Sequence, residues 1–172
     1  MLDLLLNLDY QLLFFINHLP HNIFTDNLFL FFSVAGAYGL IWIFIALMLV
    51  LFDGLDNRRE IAAIFLALLI ELILVEAILK NIFARIRPDF TLDSYSFPSG
   101  HATIGFAAAY ILSVQRRKLS WFFYSLAFLV AISRIYLGKH YPSDIFVGAI
   151  IGLIIGKLCF YLAIKLFRNN KK

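Results

Sequence analysis

Three short polar stretches interrupt a chain that is otherwise apolar. Lys80 is followed after six residues by Arg87-Pro88, and Pro98-Ser99-Gly100-His101 comes next. Ser133-Arg134 is then followed after five residues by His140 and, three residues further on, by Asp144. These residue types suit an anion. Lys80, Arg87 and Arg134 supply positive charge, and each guanidinium can donate paired hydrogen bonds to phosphate oxygens. Pro98 stands where a helix would start, a place that proline favours. The free N–H groups of Ser99 and Gly100 would then face an anion, with the helix dipole behind them. Gly100 permits close backbone approach, and the Ser99 hydroxyl adds a donor. Pro142 repeats the arrangement at the start of the last apolar stretch. Phosphoryl transfer is catalysed mainly by positioning and by charge placed around the transferred group, which is what this set provides.

The two histidines divide the remaining chemistry. A neutral imidazole can attack phosphorus, and a carboxylate on its other nitrogen fixes the tautomer and stabilises the developing cation. Asp144 follows His140 by one helical turn and can reach back to it. His101 has no such partner in sequence and stands beside the anion-binding turn. It suits an acid that protonates the leaving oxygen, then a base that activates water. No pair of carboxylates and no His-x-x-x-His set suggests a metal centre, so catalysis without metal or other cofactor is expected.

The elements that must position these residues are membrane helices. The chain has 172 residues, 62% of them hydrophobic and only 15% charged, with mean hydropathy +0.87. Soluble domains hold about 45–50% apolar and about 25% charged residues. A crossing needs about 20 apolar residues, which leaves room for five or six crossings and little else. The expected fold is therefore an all-α integral membrane bundle, one domain over residues 1–172. Residues 2–19 set a polar stripe of Asp3, Asn7, Gln11 and His18 against Leu4, Leu5, Leu8, Leu12, Phe15 and Leu19, and Pro20 ends the run. This spacing predicts an amphipathic interfacial helix over 1–20. Residues 23–52 are apolar but broken at Gly36-Ala37-Tyr38-Gly39, giving one long helix or a broken pair. Asp53 to Glu60 is a polar turn, 61–79 a crossing and 81–98 a polar loop. Residues 99–114 and 119–135 cross on either side of the Gln115–Lys118 turn. The last helix runs from Pro142 to about residue 167, so the motifs lie within a core of 61–167.

Charge placement sets orientation. Arg58, Arg59, Arg116, Arg117, Lys118, Lys165, Arg168, Lys171 and Lys172 fall at one face, against Lys80, Arg85, Arg87, Arg134 and Lys139 at the other. The richer face should be cytoplasmic, together with the C-terminus, which turns the three motifs toward the periplasm or exterior. The net charge of +4 comes from helix ends rather than a basic arm and does not point to nucleic acid. Cys159 is the single cysteine, so no intrachain disulfide forms. The first residues carry Asp3 and Asp9 and no Lys or Arg, unlike the basic start of a secretory leader.

At this point the three motifs show a resemblance. They are similar to those of the type 2 phosphatidic acid phosphatase family, Lys-x6-Arg-Pro, Pro-Ser-Gly-His and Ser-Arg-x5-His-x3-Asp. Every fixed position is matched between residues 80 and 144: Lys80, Arg87, Pro88, Pro98, Ser99, Gly100, His101, Ser133, Arg134, His140 and Asp144. The resemblance implies a membrane lipid-phosphate phosphatase with a phosphohistidine intermediate on His140 and His101 as acid. It implies phosphate held by Lys80, Arg87, Ser99, Gly100 and Arg134, with Pro88, Pro98 and Ser133 as supporting positions. Substrates implied are undecaprenyl diphosphate, phosphatidylglycerophosphate, lipid A 1-phosphate or phosphatidate, and the oligomeric state stays open. The related vanadium haloperoxidases are soluble, which the apolar spans argue against. A noncatalytic lipid-binding or transport protein would not need an acid and a nucleophile.

Other polar residues have plainer readings. Arg85 and Lys139 stand near the motifs and suit either head-group attraction or an interfacial position. His18 and His21 flank Pro20 at the interface, and Tyr136 and Tyr141 read as interfacial aromatics. Glu76 precedes Lys80 by four residues, the favourable order for a helical ion pair. Glu71 and Lys157 fall at matching depth, which motivates a pair across the bundle. Gly148, Gly152 and Gly156 on the last helix, and Gly105 and Ala109 on the helix after His101, repeat every four residues. Such spacing suits close packing inside the bundle.

Overall fold

The computed structural model describes residues 2–53, 58–90 and 92–168, and among them every regular element is helical. Helix α1 spans Leu2–Asn17, α2 Ile23–Gly36, α3 Leu40–Asp53 and α4 Arg58–Ile70. A π-helical stretch, Glu71–Leu79, joins α4 to α5 (Lys80–Phe83). Then follow α6 (Gly100–Gln115), α7 (Ser120–Tyr136) and α8 (Pro142–Arg168). Among the described residues, four helical paths are long and apolar enough to cross a membrane: Ile23–Leu49, Arg58–Phe83, Arg117–Tyr136 and Pro142–Phe167. Backbone groups in hydrocarbon must be satisfied internally, so an apolar chain of this kind has helices as its available form.

The interruption at residues 36–39 is a kink within one path. Tyr38 (φ 50) and Gly39 (φ 71) both take left-handed backbone conformations, which no α-helix continues. A 3₁₀ turn, Ala37–Gly39, absorbs the break, and α3 then turns Trp42 and Ala46 into the core beside Ala63, Ile64 and Ala67 of α4. α2 starts with a capping box. The Asn22 side chain accepts from the Phe24 and Thr25 N–H groups at 2.9 Å, and Thr25 Oγ1 accepts from Asn22 N–H.

α6 is the hub. Eleven of its sixteen residues are buried, which places it between its neighbours rather than on the rim. Its close partner is α8, through the glycines. A Cβ on Gly148 would lie 2.7 Å from the Ser99 carbonyl oxygen and one on Gly156 2.6 Å from that of Ala107, while one on Gly152 would collide with the Thr103 carbonyl. Gly105 faces the other way, toward Ala127 of α7. The small-residue spacing therefore packs the bundle internally.

One end of the bundle gathers Arg58, which lies 5.3 Å over the Phe167 ring, and the buried Glu60–Arg116 ion pair. The three motifs lie at the other end. Lys171 and Lys172 fall outside the described residues, as do positions 54–57 of the polar turn. Two expectations are corrected. Lys157 is exposed while Glu71 lines a cavity with Glu76 and Lys80, so they do not pair. Tyr136 is 1% exposed, its hydroxyl donating to Asp26 at 2.7 Å, and Tyr141 is 6% exposed, so neither is an interfacial aromatic. Among the described side chains of α1, Asp9 alone is buried, and the stripe of Asn7, Gln11 and His18 is exposed.

Candidate active site

The three motifs converge on one cavity of about 530 Å³. Lys80, Arg87, Gly100, His101, Arg134 and His140 line it, joined by Ser33, Glu71, Glu76 and Lys139. Pro88, Pro98, Ser99, Ser133 and Asp144 stand outside that lining and shape it from behind.

His140 sits in the short loop between α7 and α8. The Arg134 carbonyl closes this loop by accepting from the N–H groups of Lys139 (2.9 Å) and His140 (3.2 Å). Gly138 supplies a positive φ of 65 at the turn. The imidazole is 1% exposed. Its Nε2 lies 2.9 Å from Arg87 Nη1 and its Nδ1 3.4 Å from Asp144 Oδ2. Arg87 can only donate, so Nε2 accepts, and the ring proton belongs on Nδ1 beside the carboxylate. That tautomer presents the Nε2 lone pair to the cavity. Burial first, then Arg87, Arg134 and Lys80, hold His140 well below the ordinary histidine range, so the ring is neutral.

Arg87 is fixed at both ends. Its Nε donates to the Ser94 carbonyl and hydroxyl (3.1 and 2.9 Å), and Nη1 also reaches the Lys139 carbonyl at 2.8 Å. Burial lowers its pKa from the usual arginine value, against the raising influence of Glu76, Asp144 and Asp89. Lys80 Nζ bonds both Glu76 oxygens, at 2.6 and 2.7 Å, as the i, i+4 spacing predicts. Arg134 Nη1 donates to Ser33 Oγ of α2, and His101 Nε2 faces the Ser33 carbonyl at 3.2 Å. Since a carbonyl only accepts, His101 carries its proton on Nε2 and leaves Nδ1 as the acceptor.

The start of α6 differs from the simple anion-binding turn. The Ser99 N–H donates to the Asp144 carbonyl at 3.1 Å, and the Ser99 side chain caps α6 by accepting from Ala102 N–H. Only Gly100 of the pair borders the cavity. A Cβ there would collide with Oε1 of both Glu71 and Glu76. The π-helical stretch explains this meeting. Lys80 N–H bonds the Val75 carbonyl, five residues back, so residues five apart share a face and Glu71 and Glu76 point together. Ser133 hydroxyl is spent on the Val130 carbonyl at 2.7 Å.

Sequence reasoning missed Ser33, the joint placement of Glu71 and Glu76, and the tie from Arg85 to Asp144 at 2.8 Å. Ser33 had no signal, being a lone serine in an apolar helix. Arg85 was visible only as a cation near the motifs.

The PAP2 superfamily model matches residues 60–168, well over half of the chain. This chain belongs to the PAP2 superfamily. Among PAP2 relatives, a lipid A 4'-phosphatase from Bacteroides thetaiotaomicron is 29% identical, over 96% of this chain and 81% of that protein. The crystal structure of Aquifex aeolicus LpxE superposes with a TM-score of 0.74 at 30% identity, covering 90% of this chain and 95% of that one. A bacitracin transport permease protein, BcrC, from Bacillus licheniformis is 39% identical over 71 residues, 41% of this chain; the match spans 35% of that relative's length. This PAP2 chain is thus a multi-pass membrane protein of a family with lipid phosphatases among its members.

Proposed function

We propose that the protein hydrolyses a phosphate monoester or diphosphate of a membrane lipid through a phosphohistidine on His140. The observation that carries this is the placement of the His140 ring: Nδ1 lies toward Asp144, and Nε2, which accepts from Arg87, lies at a cavity lined by Lys80, Arg87 and Arg134. In the resting site Arg87 holds the Nε2 lone pair. A phosphate drawing Arg87 to its oxygens frees that lone pair for in-line attack. Asp144 stabilises the cation that forms, and His101, whose Nδ1 takes up the proton of the bound phosphate monoanion, passes it to the leaving oxygen and later accepts a proton from the attacking water. Lys80, Arg87, Gly100 and Arg134 bind the phosphoryl oxygens, while Ser99, expected as a direct ligand, supports Gly100 from behind by capping α6. The charge that a metal would supply comes from these cations, so the reaction proceeds with chelator present.

Residues 1–172 act as one domain with five crossings: the kinked path from α2 to α3, the path from α4 to α5, and α6, α7 and α8. At sixteen residues α6 is about 24 Å long, short for a crossing but central. α1 lies at the interface. The C-terminus is cytoplasmic, and the site opens outward by the excess of Lys and Arg at the opposite end. Candidate substrates are lipid A phosphates, undecaprenyl diphosphate, phosphatidylglycerophosphate and phosphatidate. A second reading, lipid binding or transport without turnover, is favoured by the name of the Bacillus licheniformis relative.

The test is phosphate release by purified protein in detergent with chelator, across those four lipids, for wild type and His140→Ala. Release by wild type alone is expected. Binding of lipid without release in either protein overturns the phosphatase reading in favour of transport.

A further inference from the structure

Asp144 does not stand alone behind His140. Arg85 Nη1 donates to Asp144 Oδ1 at 2.8 Å and to Ser143 Oγ at 2.7 Å, while its Nη2 donates to Asp9 Oδ2 at 2.7 Å. Asp9 also accepts from the Ser143 N–H (2.8 Å) and hydroxyl (2.6 Å). The guanidinium lies 3.8 Å over the Tyr141 ring, and Tyr10 packs edge-on against the same ring at 5.4 Å. Asp9 is 6% exposed on a helix whose apolar side chains are largely exposed. A buried carboxylate costs free energy unless it is paired and hydrogen-bonded. Here all its named partners are the immediate supports of Asp144.

We infer that Asp9 and Arg85 are positioning residues for the phosphoryl-transfer reaction, joining α1 to the active site through Asp144. The inference rests on the phosphatase reading above. Two effects combine. Arg85 pins one Asp144 oxygen, and the Tyr141 N–H pins the other at 2.9 Å, so Oδ2 is held toward His140 Nδ1. Arg85 acting alone would also neutralise Asp144 and weaken its hold on a cationic ring. Asp9 balances Arg85, and the three groups together keep one negative charge facing His140. That charge stabilises the imidazolium-like phosphohistidine more than the neutral resting ring, which lowers the barrier rather than tightening substrate binding.

The full-length protein in detergent tests this with the fastest of the four lipids. Asp9→Asn is expected to lower kcat about tenfold, the scale of lost support behind a reacting group, with KM within about twofold. Asp9→Glu should recover most of the loss, and Gln11→Ala, exposed on the same helix, should leave kcat unchanged. Burst amplitude of phosphoenzyme counts the folded sites, so kcat is taken per competent site. Wild-type kcat per site in Asp9→Asn overturns this inference alone, as does a loss that appears in KM only. Absence of turnover in wild type overturns the phosphatase reading and this inference with it.

Discussion

Adding one methyl group at Gly148 tests whether helix packing sets the geometry of the site. A Cβ there would lie 2.7 Å from the Ser99 carbonyl oxygen, 3.2 Å from Ala102 Cβ and 3.3 Å from Thr103 Oγ1. The nearest atom is backbone and cannot rotate away. Ordinary contact begins at 3.4 Å, so α8 must back off by about 0.7 Å at this point. Asp144 stands one turn earlier on the same helix and moves with it. Its 2.8 Å bond to Arg85 and 3.4 Å approach to His140 would then exceed useful range. Helix propensity favours alanine by about 1 kcal/mol, and overpacking costs about 1–3 kcal/mol, so Gly148→Ala should destabilise by at most about 2 kcal/mol. Activity should fall about 10- to 100-fold, because sub-ångström to ångström errors at a reacting centre are that costly. Gly105→Ala is the matched control. Its Cβ would meet Ala127 Cβ at 3.6 Å, an ordinary contact, so melting temperature should hold or rise with full activity. Melting in detergent and kcat/KM for lipid phosphate, measured for both variants, decide the matter. Full activity in Gly148→Ala, or a loss no greater than the loss of folded protein, would refute the reasoning.

Ser33→Ala removes the hydroxyl that receives Arg134, and a hydrogen bond to a charged group is worth about 1.5–3 kcal/mol, so kcat/KM should drop about tenfold or more in steady-state assays. Glu76→Gln removes the anion that competes with phosphate for Lys80; since Glu76 is 39% exposed the pair is screened, and inhibition by inorganic phosphate should tighten by only about threefold. The fold depresses the His140 pKa, chiefly by burial. Below about pH 6.5 the unfolded chain takes up a proton that the folded ring refuses, so this site costs stability as pH falls, by at most about 1.4 kcal/mol per pH unit. Melting curves from about pH 7.5 to about pH 5 should show His140→Gln losing less stability than wild type; parallel curves would contradict a neutral His140.

Much of the site was legible in the sequence because phosphoryl chemistry demands particular residue types. Lys80, Arg87, His101, Arg134 and His140 converge where alternating crossings bring them. The glycine spacing of α8 was legible for a similar reason: backbones this close tolerate no Cβ. What the sequence hid depends on local departures from regular helix and on long-range partners. The π-helical stretch changes the register of Glu71 relative to Glu76, and α-helical spacing cannot anticipate that. The pairing of Arg85 with Asp9 spans 76 residues, and that of Arg134 with Ser33 spans 101. Neither partner carries a motif of its own. The Ser99 N–H looked free as part of a helix start, but the close approach of α8 claims it for the Asp144 carbonyl.

The central claim is nucleophilic attack by His140, and the most direct measurement is rapid quenching with a lipid labelled in its scissile phosphate. Quenching in alkali preserves a phosphoramidate bond, and peptide mapping locates the label. The account predicts label on His140 in wild type, its accumulation in a variant lacking the His101 acid–base group, and none on His140→Ala. Label on another residue, or phosphate release by His140→Ala at the wild-type rate, would contradict it.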